Sequence, residues 1–268
     1  MRGLSAAAGT AVFLLWAVQC FSQTTGTDLY AKARQLQSPL AVKTSITLLE
    51  NILFNIGPEN KTGNVMTLQP IVPVRVNPEW NVLTQTNFQL ISLPSLNPEQ
   101  GHINGLGDTT LYAFLSPNRT AEWLWGIGPV FQIPTHTNAN LGTDKWGVGP
   151  TAVVVRTVKN WVYGGIVNNT WSFAGREDAS TINLFSLQYF INYNFPTGWY
   201  LISNATITAN WQATNSNQWT VPVGGGLGKV LTIGGENMNL QLQGFYNAVM
   251  PENGPNWILQ MSFQYVFR

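Results

Sequence analysis

The sequence predicts an all-β chain that closes into an antiparallel transmembrane β-barrel of about 12 strands, behind a short N-terminal helical or extended lead segment. Three observations predict it. Charged residues make up only 9% of the 268 positions, against roughly 25% in an ordinary soluble domain. Beyond about residue 47, apolar and polar residues alternate with period two, the period of a strand with two unlike faces. The connections alternate between short turns and longer loops, as they do when hairpins cross a bilayer and both termini stay on one side.

Composition removes the alternatives. Aromatics reach 12%, with 11 Trp, whereas disordered chains are charged and poor in aromatics. Coiled coils and long solvated helices need Glu, Lys and Ala. Lys+Arg 13 against Asp+Glu 12 supplies no basic footprint, so nucleic acid is not expected as a partner. Asn occurs 27 times, more often than all carboxylates together, so neutral amides carry the polarity.

Residues 1–22 read as a signal peptide. Arg2 gives a short positive start, Ala11 to Val18 form an apolar stretch, and Cys20 and Ser22 fit a cleavage site before Gln23. That stretch is too short to span a bilayer comfortably. Cys20 also suggests lipidation, but Gln19 before it fits that pattern poorly. Cleavage after Ser22 would leave a chain with no cysteine, exported without disulfides. Residues 23–46 are expected to form a periplasmic lead segment or a plug. Thr27 or Asp28 could cap a helix there, with Leu29, Ala33 and Leu36 at helical spacing up to Pro39. Residues 47–268 are expected to form the barrel.

Twelve candidate strands centre near residues 52, 70, 87, 112, 128, 151, 167, 188, 205, 224, 242 and 262. The last is the clearest. Trp257, Leu259, Met261, Phe263, Tyr265 and Phe267 share one face, and Ile258, Gln260, Ser262, Gln264 and Val266 the other. Segment 107–118 is apolar on both faces and 145–157 is ambiguous. Short turns fall at Asn77-Pro78-Glu79, Asn118-Arg119-Thr120, Val158-Lys159-Asn160 and Pro196-Thr197-Gly198, with loops at 95–106, 136–144, 174–180 and 250–255.

Two features separate a membrane barrel from a soluble β-sandwich. Trp80, Trp123, Trp146, Trp161, Trp199, Trp211, Trp219 and Trp257 lie near strand ends, where an aromatic girdle needs them. A sandwich core would favour mid-strand Trp. Charges such as Glu79, Arg119, Glu122, Lys145, Lys159, Arg176, Glu177 and Asp178 fall in or beside turns, because a charge facing lipid at mid-depth costs a few kcal/mol. The outward aromatics of the final strand, Phe263, Tyr265 and Phe267, resemble the C-terminal strand that outer-membrane assembly machinery reads, although Arg268 follows them.

The opposite faces predict the lumen lining: Asn81, Gln85, Asn87 and Gln89, then Asn204, Thr206 and Thr208, then Asn239, Gln241 and Gln243, then Gln260 and Gln264. Arg75 shares the inner face of its strand but lies near a turn, where a snorkelling rim residue is the other reading. Arg156 and Lys229 are expected at the periplasmic rim. Neutral amides would hold water without a strong field, so ion selectivity should be weak. Gly224, Gly226 and Gly228 share one inner face. They either widen the lumen and admit the lead segment as a plug, or relieve strain where the strand bends.

Motifs running through the whole mature chain carry a resemblance. They include FNIGP (54–58), LQPIVPV (68–74), WNVLTQT (80–86), GLGD (105–108), FLSP (114–117), WGIGPVFQIPT (125–135), WGVGPTAVV (146–154), WVYGG (161–165), WSFAG (171–175), QWTVP (218–222) and GPNW (254–257). The chain resembles the bacterial outer-membrane barrel family named for the meta-pathway of phenol degradation, whose members are often labelled "transporter" or "neuromedin U". The resemblance implies a Gram-negative outer-membrane barrel that moves small compounds, aromatic ones among them. It carries no catalytic residue onto this chain. Gln85 stands where similar sequences often have Arg, which implies a lumen less friendly to anions if that position faces inward.

No enzyme constellation is visible. His102 and His136 both fall in predicted loops, and neither lies on a strand with a Ser two residues away. There is no nucleophile-elbow motif, no paired-His metal motif and no phosphate-binding context around the glycines. No cofactor or metal is expected. The expected partners are outer-membrane lipid, the outer-membrane assembly machinery and an unidentified small solute. The sequence therefore points to a porin-like outer-membrane channel for passive passage of small neutral or aromatic solutes. The alternative is a non-conducting barrel with a structural role or one mediated by loops 95–106 and 136–144.

Overall fold

The computed structural model describes residues 26–95, 101–119 and 121–267. The expected signal peptide lies outside the described residues, as do positions 96–100 of the loop 95–106, Thr120 and Arg268. Helix α1 (Gly26–Leu36) comes first, starting one residue ahead of the expected caps. The strands are β1 (Ser45–Ile56), β2 (Lys61–Arg75), β3 (Trp80–Pro94), β4 (His102–Leu106), β5 (Thr109–Pro117), β6 (Trp123–Ile133) and β7 (Lys145–Val158). They continue as β8 (Trp161–Gly175), β9 (Asn183–Asn194), β10 (Trp199–Asn210), β11 (Trp219–Ile233), β12 (Glu236–Val249) and β13 (Trp257–Val266).

All pairings are antiparallel. The last strand returns to the first, with Ser45 opposite Val266 and Phe54 opposite Trp257, and the β2–β3 pairing completes the ring. β4 and β5 both pair with β3, β4 along Leu90–Pro94 and β5 along Trp80–Asn87. They are two segments of one wall strand broken at Gly107-Asp108, so the closed wall has twelve strands. The sequence reading assigns 102–106 to a loop because Gly105 and His102 dilute its alternation.

The barrel is inside-out relative to a soluble domain. Leu68, Phe88, Leu90, Ile127, Val154, Leu201, Val223, Leu227, Leu242 and Phe263 are exposed on the outer face, while Asn81, Gln85, Asn192, Asn239 and Gln243 are buried. That inversion is the expected solution when the outer solvent is hydrocarbon. Short turns close the rim that holds both termini, the near rim; the longer loops stand at the far rim. β11 and β12 are joined through Gly234 and Gly235, both at positive φ (59° and 85°), as a tight two-residue hairpin requires.

Prolines interrupt the wall. The β2–β3, β5–β6 and β7–β8 ladders each skip two pairs, at Pro70, Pro129 and Pro150, because proline has no N–H to give a ladder. The β10–β11 ladder breaks more widely, after Ile202–Gly226, and resumes at Thr208–Thr220, around Pro222.

Candidate functional site

The lumen is the concave surface of this fold, and its lining divides into two halves. One half is a belt of amides. Gln260 Nε2 donates to Asn51 Oδ1 at 2.9 Å, Gln243 Nε2 to Gln260 Oε1 at 2.9 Å, and Gln188 Nε2 to Asn204 Oδ1 at 3.0 Å. The link between these pairs is the Asn204 backbone N–H, which donates to Gln243 Oε1 at 2.9 Å. The belt thus runs from β1 through β13 and β12 to β10 and β9.

It passes over β11, and the glycines explain how. Gly224 and Gly226 put no side chain on the inner face, so Gln243 can reach across β11 to β10. A Cβ at Gly226 would lie 1.9 Å from the Leu242 carbonyl oxygen, and one at Gly228 would lie inside the Tyr200 ring. The Asn204 N–H is in the stretch where the β10–β11 ladder is broken, and Gln243 supplies its acceptor. On the outer side, Ser203 Oγ donates to the Gly224 carbonyl at 2.7 Å. Side chains replace the missing backbone pairs, which keeps buried polar groups partnered.

The expected lumen residues share the inner faces of their strands. Asn81, Gln85, Asn239 and Gln243 are buried, Asn87, Gln89, Asn204, Thr208, Gln241, Gln260 and Gln264 are half-buried, and Thr206 is exposed within the lumen. Gln69 Nε2 donates to Asn87 Oδ1 at 2.9 Å, and Tyr200 donates its hydroxyl to Asn239. Arg75 stands apart. It is exposed at the last position of β2, with Nε donating to the Asn77 carbonyl at 3.4 Å.

The other half of the lining is apolar. Leu83, Phe114, Val153, Val155, Val162, Ile166 and Phe190 form one buried cluster on β3, β5, β7, β8 and β9. The reading of the lumen as uniformly amide-lined misses it, because β5, β7 and β8 give alternation little contrast, while Leu83 and Phe190 are single apolar positions on otherwise polar inner faces.

The lead segment crosses the near mouth between the halves. Ala33 and Leu36 of α1 pack with Tyr200, Ile202, Val230 and Val266, and Leu40 enters the apolar cluster opposite. Gln37 and Asn194 exchange two side-chain hydrogen bonds, 2.8 and 3.0 Å. Tyr30 donates its hydroxyl to the Lys159 carbonyl at 2.7 Å. Tyr200 fits under the helix because Gly228 leaves room for its ring.

At the far rim, loop 134–144 folds against the neighbouring β4–β5 strand. Asp108, at the break between β4 and β5, accepts from His136 Nδ1 at 2.6 Å and from the Thr143 N–H at 2.8 Å. His136 Nε2 lies 3.1 Å from Asp144, which also meets Arg176 at 2.8 Å. Leu106 N–H donates to Thr137 Oγ1 at 2.9 Å, so the loop continues the wall where β6 has ended. Sequence spacing could not find this latch, since Asp108 and His136 are brought together only by the β5–β6 pairing.

The eight predicted girdle Trp divide between the rims. Trp80, Trp123, Trp161 and Trp199 begin β3, β6, β8 and β10 at the near rim; Trp146, Trp211, Trp219 and Trp257 stand at the far rim. Arg156 lies 5.0 Å over the Trp123 ring and Lys229 5.0 Å over Trp199. Both cations sit at the near rim, their stems covering apolar wall. Tyr265 and Phe267 meet edge to face at 5.0 Å, also at the near rim, with Phe263 above them on the outer face.

One Ser–His pair does form. The β3–β4 turn sets Ser92 Oγ 3.2 Å from His102 Nδ1, a cross-strand neighbourhood that searching along one strand overlooks. Among the described residues no side chain orients its second ring nitrogen, and no three metal-ligating side chains gather.

Solved structures share the fold. The chain is 18% identical to an outer membrane channel from Pseudomonas putida F1, with 85% of this chain and 97% of that one covered and a TM-score of 0.63. It is 10% identical to the NanC porin, with 84% and 99% covered and a TM-score of 0.51. No match was found among curated protein sequences. The profile of the family described as "Putative MetA-pathway of phenol degradation" matches residues 49–267, β1 through the end of β13. The chain belongs to that family, and its fold is the closed β-barrel of those channels.

Proposed function

We propose that the chain is an outer-membrane channel for passive passage of small neutral solutes, aromatic ones included, with weak ion selectivity. The observation that carries this reading is the divided lumen. With Leu40 and the lead segment displaced, a planar solute with one or two hydroxyls can lay its apolar face on the Phe114, Val153 and Phe190 side and hydrogen-bond to the amide belt opposite. Neutral amides offer donors and acceptors without a net field, so neither ion sign gains much. The lead segment acts as a plug at the periplasmic mouth, and the His136 latch narrows the extracellular one. The aromatic rims anchor the barrel in lipid, and the final strand supplies the signal for outer-membrane assembly after a signal peptide is removed before Gln23.

Swelling of proteoliposomes across a panel of sugars and phenols tests this. Swelling with both classes, and a reversal potential near zero in a salt gradient, are expected. The lead segment seated across the near mouth favours the second reading, a non-conducting barrel with a structural or loop-mediated role. Absence of swelling and of conductance would leave that reading standing.

A further inference from the structure

Glu50 does not fit a wall that meets only lipid. In β1, Ser45, Thr47 and Asn51 point inward with Gln260 and Gln264, while Ile46 and Leu48 are exposed outside. Period two therefore places Glu50 on the outer face. The register fixes its depth. Ile46 lies opposite Tyr265 at the near aromatic rim, and Phe54 lies opposite Trp257 at the far one. Glu50, opposite Met261, is four residues from each, or about 13 Å along the strand. It stands at the middle of the apolar belt.

Charged residues elsewhere on the strands behave differently. Lys61, Lys145 and Glu236 open their strands, Arg75 closes β2, and Arg156 and Lys229 lie against near-rim Trp rings. Ionisable groups at mid-depth facing lipid are costly, and where they occur they pair with something. Among the described residues Glu50 has one polar partner: Asn64 Nδ2 donates to its Oε1 at 3.0 Å. Asn64 is on the outer face of β2, where Leu68 and Val72 are exposed beside it. An amide nitrogen carries two N–H and a carboxylate has two oxygens. That bond uses one of each, so the pair carries a second donor and a second acceptor on an otherwise apolar face.

We infer that this face, formed by β1, β2 and β13, is the interface of a two-fold dimer with a second copy of the chain. The complementarity is specific to a copy. Two barrels inserted in the same sense relate by an axis along the membrane normal, so equal depths meet. The Glu50–Asn64 hydrogen bond already brings carboxylate and amide to one level. The second N–H of Asn64 then reaches the free oxygen of Glu50 across the axis, twice over by symmetry. Ile46, Leu48, Leu68, Val72 and Phe263, all exposed, pack around the pair. Neither the channel reading nor its failure bears on this contact.

The test is cysteine crosslinking in isolated outer membranes, using the full chain with Cys20→Ser. Leu48→Cys, beside Glu50, is expected to give a disulfide dimer under mild oxidation. Val154→Cys, exposed on another part of the wall, is expected to stay monomeric. Adding Glu50→Ala to Leu48→Cys should lower the dimer yield about tenfold, and Glu50→Gln, which keeps an acceptor, should restore most of it. Heat-modifiable migration confirms that each variant is folded. Equal dimer yields from Leu48→Cys and Val154→Cys, monomer only from Leu48→Cys, a yield indifferent to Glu50→Ala, or a crosslinked species of another mass would each overturn the proposal.

Discussion

The two halves of the lumen solve the same problem by opposite chemistry. On β9, β10, β12, β13 and β1, polar side chains fill the interior by bonding to one another, and their spacing depends on hydrogen-bond reach across a glycine strand. On β5, β7 and β8, with Leu83 of β3 and Phe190 of β9 at the two seams where both chemistries share a strand, apolar side chains fill it by contact alone. The amide half is specific and intolerant: each group needs its partner, and an orphan costs more than a bond gains. The apolar half is forgiving, since volume-conserving swaps in a packed cluster cost little. The contrast teaches where mutations should hurt and where they should only change what passes.

The largest effect is expected in the glycine strand. Gly226→Val would drive side-chain atoms into the Leu242 carbonyl, so the heat-modifiable folded form should disappear. Gly244→Ala, with nothing within 4 Å of the new Cβ, should keep it. If both variants fold equally well, the close approach of β11 to β12 is not what the amide crossing depends on. Next in size is removal of residues 26–43, which should raise single-channel conductance several-fold. An unchanged conductance would mean that the lead segment does not limit the pore.

Gln243→Leu should destabilise by about 1–3 kcal/mol, because it strands the Asn204 N–H and Gln260 together. Denaturant unfolding in lipid would measure it. Phe190→Leu, in the apolar half, should cost less than about 1.5 kcal/mol and instead change the ratio of phenol to sugar permeation. Equal stability losses would erase the distinction between the halves. A smaller effect should follow His136→Ala, which frees loop 134–144 from Asp108 and Asp144. Faster protease cleavage in that loop, with the barrel intact, is the expected sign. Smallest is Arg156→Gln at the rim, where the cation–π contact with Trp123 is worth about 0.5–1 kcal/mol.

Much of the wall was legible because lipid enforces a simple rule. Strand after strand, an apolar outer face alternates with something else, and the twelve expected centres fall within the observed wall strands. Legibility failed where that rule is silent. β4 was read as loop because Gly105 and His102 blur its period. Glu50 escaped notice among charges that otherwise keep to turns, because Asn64, which bonds to it, is on the neighbouring strand. The apolar half of the lumen was missed because both faces of β7 and β8 are apolar, so period two had no contrast to show.

The sequence by itself pointed to the barrel, to about twelve strands, to its rims and to the amide character of part of its interior. Those follow from local alternation, which most of the strand-length stretches display. Only the tertiary structure decided what meets what: Gln243 reaching Asn204 over two glycines, Leu40 seated among Leu83 and Phe190, His136 held between Asp108 and Asp144. Each of these joins residues far apart in the chain, and their meeting depends on the register of several seams at once. A side-chain pattern fixes which face a residue takes; closure of the ring fixes its neighbours.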